Sequence, residues 1–71
     1  MKQGERLRMA RQSEGLTQKQ AAEACGTTQS HWSNYERGSE QLSLDRLFEI
    51  AQAIGINPHK LDPRLVDRPR K

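Results

Sequence analysis

Glycines interrupt this chain at intervals that leave room only for short helices. They stand at Gly15, Gly26, Gly38 and Gly55, and each follows a segment with helical apolar spacing. Because glycine adopts the left-handed conformation that ends many helices, each of these positions predicts a C-terminal helix boundary. No alternating apolar stretch predicts a strand. The pattern therefore predicts an all-α fold made of short segments.

The residues that precede these segments predict where each helix begins. Thr17 with Gln20 forms a capping-box pattern, and Pro58 suits the first turn of a helix. Thr28, Ser43 and Asn57 are further N-cap candidates. Five helices are predicted: residues 4–13, from Thr17 to Gly26, residues 29–36, from Ser43 to Gly55, and a short one after Asn57.

Apolar spacing predicts which helix faces form the core. The fourth helix carries the clearest stripe, at Leu44, Leu47, Phe48, Ala51 and Ile54. The second helix offers only the small residues Ala21, Ala22 and Cys25. Trp32 lies on the predicted inner arc of the third helix, with Glu36. We expect its large ring to fill the space that three small side chains, Ala10, Ala21 and Cys25, leave open.

Composition narrows the class of protein. The chain has 71 residues and one cysteine, which fits a single small domain in a reducing cytoplasm. No apolar run is long enough for a membrane helix, and the cysteine and two histidines lack the spacing of a zinc site. No pairing of nucleophile and base predicts an enzyme, so neither a cofactor nor a metal is expected. We expect a domain over residues 1–62 and a flexible basic tail over 63–71.

Charge is unevenly distributed along the chain. Residues 1–11 and 60–71 each carry a net charge of +3, whereas residues 12–59 carry −3. Basic ends suit a polyanionic partner.

Only Cys25-Gly26-Thr27 separates the second and third helices, and such a short turn is typical of a helix-turn-helix. An ordinary corner between two helices has the same spacing, so the turn alone leaves both interpretations open.

An ordered set of residues makes the interpretation specific. The set is Arg11, Gly15-Leu16-Thr17-Gln18, Ala22, Gly26-Thr27-Thr28-Gln29, Ser33, Glu36-Arg37-Gly38, Ser43-Leu44, Leu47, Ala51 and Gly55. In this set the chain resembles the lambdoid phage repressor and Cro family, also called the XRE family. The resemblance implies a compact five-helix, lambda-repressor-like domain that binds double-stranded DNA as a transcriptional regulator, with repression as the expected mode. Its recognition helix would span about residues 28–36 and enter the major groove.

The resemblance also implies roles for individual residues. Base contacts would come from Gln29, Ser30 and Asn34, whose amides and hydroxyl suit base edges. Phosphate contacts would come from Gln18, Thr28, His31, Arg37, Ser39 and Gln41. Arg11 and Glu36 match a buried ion pair of the family. Glu40 departs from the basic residues common in that loop, and an acidic group there should weaken non-specific DNA binding.

The need to distinguish one DNA site from many others predicts that two copies of the chain bind together. One domain of this size reads few base pairs, so we expect a weak homodimer on an inverted-repeat operator. The apolar residues left for its contact are Ile56, Leu61, Leu65 and Val66. The alternative is an antitoxin or adaptor that acts mainly through a protein partner, which the acidic middle segment and Glu40 favour.

Overall fold

The computed structural model describes residues 2–65, and these residues form an all-α domain. The α-helices are α1 (Gln3–Ser13), α2 (Gln18–Ala24), α3 (Gln29–Arg37) and α4 (Leu44–Ile54), followed by one 3-10 turn at Pro58–Lys60. None of the described helices has the length and apolar character that crossing a membrane requires.

The fifth predicted helix is present in its predicted place, capped by Asn57 with Pro58 in its first turn, but it is only that 3-10 turn and not an α-helix. Pro63 follows closely, and a proline disfavours helical backbone in the residue before it. Leu65 then packs against the core, and its N–H donates to the Asp62 carbonyl at 2.9 Å. The remainder of the expected tail, residues 66–71 with Val66, lies outside the described residues.

The predicted N-caps of the α-helices are confirmed. At the start of α2, the Gln20 N–H donates to Thr17 Oγ1 at 3.0 Å, and Thr17 N–H donates to Gln20 Oε1 at 2.9 Å. Thr28 and Ser43 cap α3 and α4 in the same way, through one side-chain oxygen each. These bonds satisfy backbone donors that the first turn of a helix leaves without partners. The helix starts are therefore fixed by local sequence.

Trp32 lies at the centre of the core and is fully buried. Of the three small residues expected beside it, Ala10 and Ala21 are buried in the same apolar cluster, and Cys25 packs against that cluster partly buried. Leu7, Leu47, Ile50 and Leu61 are the other large side chains that are almost completely buried. The expected exchange of volume between the indole ring and the small residues agrees with this arrangement.

The predicted core face of α4 is partly wrong. Leu47, Ile50, Ala51 and Ile54 are buried, whereas Leu44 and Phe48 are each 37% exposed. The buried positions are spaced by three, one and three residues and share one line along the helix, and Leu44 and Phe48 fall on its flank. Packing against the rest of the domain selects the line that contains Ile50. It leaves an apolar strip, Leu44 and Phe48, in contact with solvent.

Gly4 permits a close approach between α1 and the end of α3. A β-carbon at this position would lie 2.3 Å from the Glu36 carbonyl oxygen and 2.7 Å from that of Tyr35. No side chain fits at such distances, so the start of α1 rests directly on the backbone of α3. Contacts with both α1 and α2 hold α3 in the domain.

Candidate nucleic-acid interface

The turn between α2 and α3 is anchored on both sides. Gly26 has a φ of +72°, which L side chains rarely adopt. The Thr27 N–H donates to the Ala22 carbonyl at 2.9 Å, and Arg46 Nη2 of α4 donates to the Cys25 carbonyl at 3.1 Å. Cys25 packs against the core, and this burial raises the pKa of its thiol. These contacts fix the direction in which α3 leaves α2.

The three residues expected to contact bases share one side of α3. Gln29 and Ser30 lie in its first turn and are exposed. Neither side chain forms a hydrogen bond within residues 2–65. Asn34 lies one turn later on the same side and is half-buried. Ser30 and Asn34 therefore lie opposite the buried Trp32, and Gln29 lies at the edge of that face.

Arg37, the last residue of α3, binds Ser33 and Asn34. Its Nη1 donates to Ser33 Oγ at 2.9 Å, and its Nη2 donates to Asn34 Oδ1. The sequence predicted a phosphate contact for Arg37 and a base contact for Asn34, without a bond between them. In this arrangement the amide oxygen of Asn34 already accepts one hydrogen bond, from Arg37.

Glu36 is the centre of a polar network that joins three helices. Arg11 of α1 donates to its carboxylate from Nε at 2.6 Å and from Nη2 at 3.2 Å. Gln18 Nε2 of α2 donates at 3.0 Å, and Trp32 Nε1 donates at 2.5 Å. The side chains of Arg11 and Glu36 are only 12% and 5% exposed. The network thus forms a buried ion pair with two further donors.

The environment of Glu36 favours its charged form. Burial by itself raises the pKa of the carboxyl group, but hydrogen bonds from Arg11, Gln18 and Trp32 outweigh it, so the pKa lies below its ordinary value. Sequence reasoning paired Arg11 with Glu36 but missed Gln18 and Trp32 as partners. The spacing of Trp32 and Glu36, four residues apart on one helix, was the signal available for one of them.

The other expected phosphate contacts lie at the two ends of α3. Thr28 and His31 are exposed at its start, where the His31 ring stacks on Tyr35 with ring centres 6.4 Å apart. The His31 N–H donates to Thr28 Oγ1 at 3.2 Å, so this hydroxyl already serves as the helix cap. Ser39 and Gln41 are exposed in the loop that follows α3. The structure places Gln18 differently, with its amide directed into the Glu36 network.

Comparisons with known proteins agree with this architecture. A family model described as a helix-turn-helix domain matches residues 4–63. The fold matches the crystal structure of the restriction-modification controller protein C.AhdI from Aeromonas hydrophila with a TM-score of 0.76. The match covers 83% of this chain and 86% of that one, and the two sequences are 36% identical.

Curated relatives show the same likeness in sequence. The HTH-type transcriptional regulator ImmR of Bacillus subtilis is 37% identical over 80% of this chain and 45% of its own length. Control protein C.BamHI of Bacillus amyloliquefaciens is 32% identical over 82% of this chain and 73% of its own. The chain thus spans less than half of one relative and about three quarters of the other. It belongs to the helix-turn-helix family of transcriptional regulators.

Proposed function

We propose that this chain binds double-stranded DNA sequence-specifically and regulates transcription, with repression as the expected mode. In this proposal α3 enters the major groove of DNA in the cytoplasm. The observation that carries it is the outer side of α3, where Gln29 and Ser30 are exposed and Asn34 is half-buried, on a helix whose inner side is packed into the domain through Trp32 and Glu36. Groups that contact bases need such fixed support, because small displacements break directional hydrogen bonds.

The contacts divide into base reading and positioning. An amide side chain binds adenine by accepting from N6 and donating to N7, and Gln29 and Asn34 suit this role. The amide oxygen of Asn34 already accepts from Arg37, so the amide can turn freely toward a base only when Arg37 moves away. We propose that Arg37 turns to a phosphate when DNA binds, which frees Asn34 at the same step.

Two groups complete the phosphate contacts. Gln18, Thr28 and His31 lie at or near the starts of α2 and α3, and Ser39 and Gln41 lie in the loop after α3. All but Gln18 are exposed, and Gln18 is half-buried. Contacts from both sides of α3 would set its depth and register in the groove without carrying sequence information.

Selection of bound fragments from random DNA tests the proposal and supplies the operator. Affinity for the selected site should exceed that for random DNA by at least about a thousandfold and fall steeply with salt, because bound phosphates release counterions. If no sequence is enriched, the proposed function is wrong. Binding to a protein with little salt dependence, and none to DNA, would favour the adaptor alternative.

Single substitutions separate the two kinds of contact. Gln29→Ala should weaken operator binding by about 1–3 kcal/mol and leave random DNA nearly unaffected. Gln18→Ala should weaken both by similar factors, because every sequence carries the phosphate that it contacts. Arg37→Ala should lower the salt slope by about one unit. Equal losses on both DNAs for Gln29→Ala would exclude α3 as the element that reads sequence.

We further propose that two copies bind an inverted repeat with half-sites about 10 base pairs apart, centre to centre. Of the residues expected at the contact, Leu61 is only 1% exposed and Ile56 and Leu65 pack partly against the core. The apolar strip of α4, Leu44 and Phe48, is more accessible, and we assign the weak dimer contact to it.

Cooperativity on paired half-sites tests this contact. Phe48→Glu should abolish cooperative binding while the affinity for a single half-site falls only slightly. Met9→Glu is the matched control, because Met9 is 51% exposed on a different helix and its variant has the same charge. If Phe48→Glu retains the cooperativity of the Met9→Glu control, the dimer contact lies elsewhere.

A further inference from the structure

Gln3 binds the loop between α3 and α4 by a paired hydrogen bond. Its Nε2 donates to the Leu42 carbonyl at 3.2 Å, and its Oε1 accepts from the Leu42 N–H at 2.9 Å. One amide side chain thus satisfies both backbone groups of a residue 39 positions away. Both bonds are partly buried, so water competes for them less than at the surface.

Other contacts hold the two ends of this loop: the Ser39 N–H donates to the Asn34 carbonyl at 3.0 Å, and the Leu42 side chain is partly buried against the core. Residues 39–43 form no helix, and Ser39, Glu40 and Gln41 are exposed. The loop borders a pocket of about 400 Å³ against the start of α1, with Lys2 and Arg37 on its walls. A segment of this kind samples many conformations unless a contact fixes its backbone. The Leu42 backbone is fixed by Gln3, whose own backbone belongs to α1.

We propose that Gln3 is a positioning residue for DNA binding, acting through the loop. It does not touch DNA. It holds the loop so that Ser39 and Gln41 meet the phosphate backbone without first losing conformational freedom. This inference rests on the proposed function, because those two residues are assigned to phosphates there. The adjoining close contact at Gly4 ties the same end of α1 to α3, so the loop is held in register with the reading helix.

Gln3→Met tests the proposal, because methionine is similar in length and uncharged but forms neither bond. Gln12→Met is the matched control, since Gln12 is exposed near the other end of the same helix. Affinity for the selected operator and for random DNA should both fall about tenfold in Gln3→Met, with their ratio unchanged, and neither should change in the control. Amide exchange at Leu42 should accelerate, while exchange in the core of α1 and α3 stays slow.

Gln3→Glu gives a second measurement in case the methionine variant folds poorly. Glutamate keeps the acceptor for the Leu42 N–H and loses the donor, so Leu42 exchange should lie between that of the wild type and Gln3→Met. Gln12→Glu adds the same negative charge to α1, so its DNA affinity is the reference with which that of Gln3→Glu is compared. The inference is overturned if a folded Gln3→Met binds both DNAs like the control, or if Leu42 exchange is unchanged. Failure of the wild type to bind DNA would instead refute the proposed function, and this inference with it.

Discussion

Removing the Glu36 carboxylate should strongly destabilise this domain. Glu36→Ala leaves two donors of Arg11, one of Gln18 and the fully buried Trp32 Nε1 without an acceptor. Breaking one side of a buried pair costs about 3–5 kcal/mol. Arg11 keeps its bond from Nη1 to the Leu16 carbonyl at 2.8 Å, so the lower part of that range applies. We expect a loss of about 3–4 kcal/mol, out of a total of roughly 5–15 kcal/mol for a folded domain.

Urea denaturation at neutral pH measures this loss directly. The chain has a single tryptophan, so its fluorescence reports on the centre of the core, and circular dichroism reports on the helices. Coincident transitions by the two probes justify a two-state free energy of unfolding. Glu36→Gln keeps the size and one oxygen but loses the charge, so it should cost less, about 2 kcal/mol.

Glu49→Ala supplies the matched comparison. Glu49 pairs with Arg46 at 3.0 Å, but its side chain is 62% exposed, and exposed pairs contribute at most about 1 kcal/mol. A loss for Glu36→Ala as small as that for Glu49→Ala would refute the reasoning. It would mean that water or rearranged side chains replace the carboxylate at little cost.

Two further predictions concern the ends of the domain. Gly4→Ala should lower the melting temperature by several degrees, because the new β-carbon collides with the Glu36 carbonyl. Without that collision, the same change within a helix normally stabilises by up to about 1 kcal/mol. An unchanged or raised melting temperature would contradict the close approach. Hydrogen bonds from Arg64 lower the pKa of Asp62 to about 2. Since the folded pKa is below the unfolded one, the stabilisation is present above about pH 4 and is lost toward pH 2. Asp62→Asn should reduce the fall of the urea midpoint between about pH 4 and pH 2. If the midpoint of the variant falls as steeply as that of the wild type, other carboxyl groups cause the pH dependence.

The boundaries of the helices could be predicted because they depend on neighbouring residues. Thr17 and Gln20 satisfy each other across one turn, and Gly26 supplies a backbone conformation that its own lack of a side chain permits. The pairing of Arg11 with Glu36 was available only through the family resemblance, since nothing local joins α1 to α3. The exposed face of α3 followed from helical periodicity once Trp32 was placed inside.

Tertiary packing decided what periodicity left open. Several phases of α4 bury apolar residues, and only the position of the other helices selects Ile50 over Phe48. Gln18 and Glu36 are separated by 18 positions in the sequence, and Gln3 and Leu42 by 39, and no sequence pattern marks either hydrogen-bonded pair. Contacts at such separations depend on how the chain folds back on itself. Local sequence therefore determined the helices of this protein, and tertiary structure determined how its reading helix and neighbouring loop are held.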